Sequence, residues 1–370
     1  MKIVVFGLSI SSAWGNGHAT LLRGLFRALH HQGHELHFFE KDVPYYALHR
    51  DASTLPFVNL HLYSDWNQNL HLARRELSRA DAGIVTSYCP DGAAACDLIL
   101  NSRLVRTVFY DMDTPVTLSR LDRGESVPYI PNEGLGGFDL VLSYTGGPAL
   151  NLLREQLSAR CVSTLYGWVD PDVHHRVEPC DTFAADLSYL GTYSADRQKV
   201  LEQLFITPAI ELQDYGFVIG GAMYPDAVSW PANIRYYDHV APPAHSSFYS
   251  SSPLTLSVTR AAMAALGYCP SGRVFEAAAC GTAVLSDWWT GLDTFFEPDE
   301  EILIAKDTSD SIAAITGDRA RLSAIGARAK ERALSCHTAD VRARRLIDII
   351  ETPTNETDQA EEHASVSGGA

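Results

Sequence analysis

Arg273 and Glu276 stand three residues apart at the head of RVFEAAACGTAVLSD (273–287), a run otherwise made mostly of small and apolar side chains, with Ser271 and Gly272 just before it. A hydroxyl, a flexible turn and a guanidinium ahead of a carboxylate suit a ligand that carries both a diphosphate and a diol. Donors at a helix start receive the anion, and one carboxylate can accept from two hydroxyls at once. The competing arrangement is an Arg273–Glu276 pair at i,i+3 that caps a core helix. A buried carboxylate needs one partner or the other, because an unpaired buried charge is costly.

Three more loops carry residues able to do chemistry. SISSAWGNGHAT (9–20) places Gly15 and Gly17 ahead of a helix start, with His18 as a candidate general base or a merely hydrogen-bonded histidine. It is not a dinucleotide fingerprint, since no G-x-G-x-x-G follows the first strand. FYDMDTPVTL (109–118) puts Asp111 and Asp113 at the end of an apolar strand, before a proline expected to prevent a helix from starting there. Asp113 either orients His18 or makes an Asx-type turn. No His or Cys at ligand spacing accompanies these two acids, so no metal site is expected from them. YLGTYSADRQ (189–198) offers Gly191 and Thr192 as donors and Arg197 in a first helical turn. An arginine there opposes the helix dipole unless an anion is bound, or it pairs with Asp186 or Asp196.

The elements that must position these loops alternate between strand and helix. KIVVFG (2–7), ELHFFE (35–40), AGIVTSY (82–88), VRTVFYD, FDLVLSY and RCVSTLY are apolar strands separated by helical stretches. After the polar, Pro-bearing segment 167–183 the pattern restarts with ADLSYLG and continues through YGFVIGG, IRYYDHV, LTLSVT, TAVLSD and EILIAK. Continuous apolar strands alternating with helices predict parallel sheets covered on both faces. The expected fold is α/β, two Rossmann-like doubly wound parallel-sheet domains facing across a cleft. An N-terminal domain spans 1–168, a C-terminal domain 180–350, and a disordered acidic tail 352–370. Ligands in such sheets bind beyond the carboxyl ends of the strands, where all four loops lie.

Composition bounds the rest. A chain of 370 residues, 46% hydrophobic and 20% charged, has ample core, and a net charge of −16 argues against a nucleic-acid partner. A local basic pocket is still available from Arg197, Arg260 and Arg273. Seven cysteines without CxxC spacing read as reduced thiols of a cytoplasmic protein. The five-residue apolar stretch of MKIVVFG is too short for a signal peptide, and no run reaches the about 18 apolar residues of a membrane span.

Taken together, SAWGNGHAT, FFEKDVPYY, SYCPDG, FYDMDTPVTL, YLGTYSADRQ, HVAPPAHSSFYSSSPLTLSVTR and RVFEAAACGTAVLSDWWTGLD resemble the CgeB-like (spore maturation protein) glycosyltransferases, from Met1 to about Lys306. FEAAACGTAVLSD also looks like the nucleotide-sugar segment of glycosyltransferases with the two-domain GT-B architecture. The resemblance implies a nucleotide-diphosphate sugar donor, with UDP as the expected nucleotide, an acceptor on the N-terminal domain, and neither a metal nor another cofactor. It implies that Glu276 holds the ribose hydroxyls and that Ser271, Gly272 and Arg273 meet the diphosphate. Gly191, Thr192 and Arg197 then form the opposite wall, His239 and Val240 lie by the base, and Gly17 and His18 sit between donor and acceptor. Arg260 is a further candidate for the leaving diphosphate. Tyr268 stands eight positions before Glu276, where many retaining members carry a second acid, and Ser257 stands where an Asn is expected. The lost acid favours an inverting reaction with His18 as base and Asp113 as its support. The alternatives are a nucleotide-sugar epimerase and an inactive nucleotide-sugar-binding or coat-assembly protein.

Overall fold

The computed structural model describes residues 1–352, apart from 105 and 227. The segment read as a disordered tail lies, beyond Thr352, outside them. Among the described residues thirteen strands form two sheets. The first holds β1 (Lys2–Gly7), β2 (Glu35–Lys41), β3 (Asn59–Tyr63), β4 (Ala82–Thr86), β5 (Arg106–Asp111), β6 (Leu140–Ser143) and β7 (Val162–Thr164), in the order β3-β2-β1-β4-β5-β6-β7. The second holds β8 (Leu187–Leu190), β9 (Phe217–Gly220), β10 (Ile234–Tyr237), β11 (Leu254–Ser257), β12 (Ala283–Ser286) and β13 (Leu303–Ile304), in the order β10-β9-β8-β11-β12-β13. Every pairing is parallel. The two doubly wound halves expected from the sequence are present.

Two elements differ from expectation. AGIVT is the fourth strand, because NLHLY (59–63) pairs with β2 at the sheet edge. Asn59 and His61 are polar positions in it, so it lacks the continuous apolar pattern of a central strand. Pro115 does not prevent a helix: Thr114–Asp122 is helical with the proline in its first turn, where the missing N–H would have had no partner anyway.

Segment 167–183 joins the two sheets but is partly internal, with Trp168, Val169, Asp170 and His174 buried. The chain also crosses back. Thr338 caps the helix Ala339–Glu351 by accepting from Val341 N at 3.3 Å. Although its position in the chain places this helix with the second sheet, its Ala343, Leu346, Ile349 and Ile350 enter the apolar cluster around Leu22, Leu25 and Phe26 of the first domain. Each fully buried aliphatic side chain of this kind contributes about 1.5–3 kcal/mol. The two crossings touch, since Val169 N donates to His337 O at 2.9 Å and Ala339 N to Val169 O at 2.8 Å. Arg342 donates to the carbonyls of Tyr166, Gly167 and Cys336 and so ties both strands of the junction.

Tyr268 forms a second bridge between the domains. Its ring lies between Gly147 and Gly291, where a Cβ would approach it to 2.3 and 2.4 Å, and its carbonyl accepts from Gly146 N. The position of the missing acid is thus occupied by an interdomain wedge. All seven cysteines are free. Among the described residues no helix is long and apolar enough to cross a membrane.

Candidate active site

The loops after β1, β5, β8, β11 and the start of the helix Gly272–Ala279 converge on one cleft of about 340 Å³, within the range of small-molecule sites. Gly17, His18 and Asp113 line it from the first domain; Gly191, Thr192, Arg197, His239, Val240 and Arg260 line it from the second, with Ser271, Gly272, Arg273 and Glu276. Every site residue read from the sequence is therefore in the same cleft.

On the first-domain side the loop after β1 is fixed by Glu40, the buried last acid of β2. Glu40 accepts from Ser9 Oγ at 2.8 Å, Ile10 N at 2.8 Å, Ser11 N at 3.0 Å and Ser11 Oγ at 2.5 Å. The helix Gly17–His31 begins directly after this anchored loop and brings His18 Nε2 to 3.1 Å from Asp113 Oδ2. A carboxylate only accepts, so Nε2 carries a proton, and in the neutral ring Nδ1 has the lone pair. Nδ1 is buried and has no protein partner. Asp113 makes no side-chain cap bond to its own helix, and its carboxylate faces His18 instead.

Behind this pair, Asp111 is fully buried and its Oδ2 has no hydrogen-bond partner. Burial pushes its carboxyl up to about 6 from 3.8. For an acid raised in this way the folded state holds the proton longer than the unfolded chain does. The penalty is therefore nil below about pH 4 and complete above about pH 6. Asp111→Asn is expected to match wild-type stability near pH 4 and to exceed it at pH 7, by on the order of 3 kcal/mol, in urea titrations at the two pH values.

On the opposite wall, Gly221 (φ +156°) lets the loop after β9 close on the loop after β8. A Cβ there would lie 2.0 Å from Gly191 O. Arg197 is only 5% exposed, donates to Thr192 O, and leaves its Nε without a partner. Neither acid expected to pair with it does so: Asp186 pairs with Arg319 and Asp196 with Arg260. Burial, then the like charge of Arg273, push the Arg197 pKa down. Arg273 makes no ion pair within 4 Å among the described residues, and its only recorded hydrogen bond is a 3.4 Å contact to Ser271 Oγ. The Arg273–Glu276 pair considered for the helix start is thus not formed. Ser271 leaves the first-turn amides of Gly272–Ala279 uncapped by its side chain. Two guanidiniums without carboxylates and free helix amides make a local anion site in an acidic chain.

Glu276 is 8% exposed. Its Oε2 lies 3.3 Å from Tyr249 Oη and 3.9 Å from both His174 Nε2 and His245 Nδ1. Burial acts to raise its pKa, but the two histidines and Arg273 outweigh it and hold the carboxyl below its usual value. Among the described residues, His174, His245 and Glu276 are also the one group whose ligand atoms are close enough, within 4.8 Å, to hold a metal ion. Sequence reading missed Glu40, His174, His245 and Tyr249. Glu40 ends an apolar strand in an acid, the same signal that singled out Asp111; the other three carry no local signal. His239 packs on Trp14 of the first domain with ring centroids 4.3 Å apart.

Residues 197–348, which include most of these second-domain groups, match the family model described as glycosyl transferase-like. That stretch of the second domain is thus similar to glycosyl transferase-like domains. The whole chain has the GT-B architecture, as solved structures show. Sucrose-phosphate synthase from Thermosynechococcus elongatus superposes with a TM-score of 0.67 at 14% identity, over 94% of this chain and 98% of that one. HepE from Anabaena, in complex with UDP-glucose, gives 0.63 at 12% identity over 95% and 99%. An alpha-glucosyltransferase in complex with UDP gives 0.64 at 14% identity over 95% and 100%. No curated protein sequence matches the chain. The cleft thus lies between two domains arranged as in the GT-B fold.

Proposed function

We propose that this glycosyltransferase moves a sugar from a UDP-sugar to an acceptor hydroxyl or amine, and that it is a CgeB-like enzyme. The observation that carries the reading is the buried, carboxylate-free Arg197, which lines the same cleft as Arg273. A buried unpaired guanidinium is costly unless an anion completes it, and a leaving diphosphate is such an anion. The UDP in the alpha-glucosyltransferase structure and the UDP-glucose in HepE support the choice of nucleotide. Glu276 receives the ribose hydroxyls, Ser271, Gly272 and Arg273 take the diphosphate, and His239 and Val240 face the base.

The reaction inverts. The acceptor oxygen bonds to the anomeric carbon as the bond from that carbon to the diphosphate oxygen breaks, its electron pair leaving on the diphosphate. The acceptor proton passes to His18 Nδ1, and Asp113 stabilises the imidazolium so formed. The guanidiniums and helix amides supply the positive charge at the leaving group, so turnover is expected to persist in EDTA.

Thermal shift with UDP, GDP, dTDP and ADP, on wild type and Glu276→Ala, tests the binding step. At a hundredfold excess over Kd a ligand stabilises by about 2.7 kcal/mol. UDP alone is expected to shift wild type strongly, and Glu276→Ala weakly. No shift with any nucleotide would overturn the reading.

A further inference from the structure

Three elements far apart in sequence each bring one nitrogen or oxygen to the same buried point. His174 belongs to the segment that joins the domains and is 1% exposed. His245 opens the short helix His245–Ser250, and Glu276 lies in the helix Gly272–Ala279. His175 N donates to Ser246 Oγ at 3.1 Å and Ser246 Oγ to Val173 O at 2.7 Å, so the joining segment is fixed to the short helix on both sides of His174. The atoms that meet are His174 Nε2, His245 Nδ1 and Glu276 Oε2. Among the described residues no other His, Cys, Asp or Glu group gathers three ligand atoms within 4.8 Å.

Hydrogen bonding does not account for this triangle. Both nitrogens stand 3.9 Å from Oε2, too far to donate to it. They are 3.3 Å from each other, longer than the about 2.9–3.0 Å of a good N–H hydrogen bond. A divalent ion accounts for all three separations. Two nitrogens held by one tetrahedral zinc, at about 2.0–2.1 Å, stand about 3.3 Å apart. The point equidistant from the three atoms lies about 2.2 Å from each, and Oε2 reaches a tetrahedral edge by moving in about 0.5 Å.

The donors suit such an ion. His245 Nε2 lies 3.1 Å from Val240 O, which can only accept, so Nε2 carries the hydrogen and in the neutral ring Nδ1 has the lone pair. A ligating histidine ordinarily gives its other N–H to a carbonyl or carboxylate in this way. His174 Nδ1 is buried without a protein partner whichever nitrogen holds its proton, so that atom does not decide the matter. Tyr249 Oη donates to Oε2 at 3.3 Å, and the carboxylate oxygen keeps a second lone pair. Two imidazoles with one carboxylate favour zinc over magnesium or calcium, which take oxygen ligands.

We propose that His174, His245 and Glu276 form a site for a zinc-class divalent cation, which staples the joining segment to the short helix and to the helix that carries Glu276. Three protein ligands leave the fourth tetrahedral position for a water. The ion is held through Oε2, and no step of the sugar transfer proposed above passes through it. The inference therefore stands apart from the ribose reading of Glu276, and its test contains no nucleotide.

The test is calorimetric titration of Zn²⁺ into wild type stripped with EDTA and dialysed, and into His174→Gln and His245→Gln, with melting curves of each. Wild type is expected to bind one equivalent with a Kd below about 1 μM and to melt higher once loaded. Each glutamine variant is expected to bind more than about 100-fold more weakly, since even the loss of an outer-shell partner costs 10–100-fold. No such equivalent in wild type overturns the proposal. So does an equivalent that both variants keep, because the ion then sits elsewhere. Should the variants not fold, Co²⁺ added to wild type decides: the intense visible bands of a four-coordinate ion support the site, and the weak bands of a six-coordinate one overturn it.

Discussion

Arg197→Met is expected to raise the melting temperature of the ligand-free protein and, in the same molecule, to weaken UDP binding by about 100-fold. The two effects share one cause. The guanidinium is buried, has no carboxylate partner and leaves Nε unsatisfied. Replacing such a charge by an apolar side chain of similar length relieves about 1–4 kcal/mol. The lost contact with Thr192 O offsets a fraction of this, because that carbonyl opens to the cleft once the guanidinium is gone. What the folded protein gains, the complex loses, since the diphosphate then enters a wall with one fewer charge-assisted donor. Calorimetric melting and titration of one preparation read both quantities. A lower melting temperature with unchanged UDP affinity would make Arg197 a brace for the Thr192 loop and nothing more.

The second large effect is on turnover. His18→Ala is expected to lower kcat by about 10²–10⁴ while leaving the KM for the donor near its wild-type value. Asp113→Asn is the more searching variant. An amide can donate to His18 Nε2, which would move the ring proton to Nδ1 and remove the lone pair intended for the acceptor. A loss comparable to that of His18→Ala is therefore expected from a change of one atom, with no change in melting temperature. Steady-state kinetics with donor and acceptor varied separately distinguish the two kinetic constants. Full activity in His18→Ala would exclude it as the base.

The success of the sequence in locating the cleft has a simple origin. In a doubly wound sheet the active loops follow the strands, and both strand and loop are written locally: KIVVFG before the GNGH loop, VRTVFYD before Asp113, LSYL before Gly191 and Thr192. The failures are equally physical. Which acid an arginine takes is decided by tertiary proximity, so Asp186 and Asp196 looked like partners of Arg197 until Arg319 and Arg260 claimed them. The compensation of Glu276 comes from His174, His245 and Tyr249, none within a helical turn of it in sequence. Pro115 restricts the residue before it, but it also tolerates a helix's first turn, and the structure uses the second property.

The return of the helix Ala339–Glu351 to the first domain bears on how the chain is made. Domains commonly fold in order as they leave the ribosome. Here the first domain cannot be completed in that order. Its apolar face around Leu22, Leu25 and Phe26 stays uncovered until Leu346, Ile349 and Ile350 have been synthesised. The nascent chain must therefore carry an open hydrophobic surface through the whole synthesis of its second half. The helix that closes the first domain is the last one among the described residues.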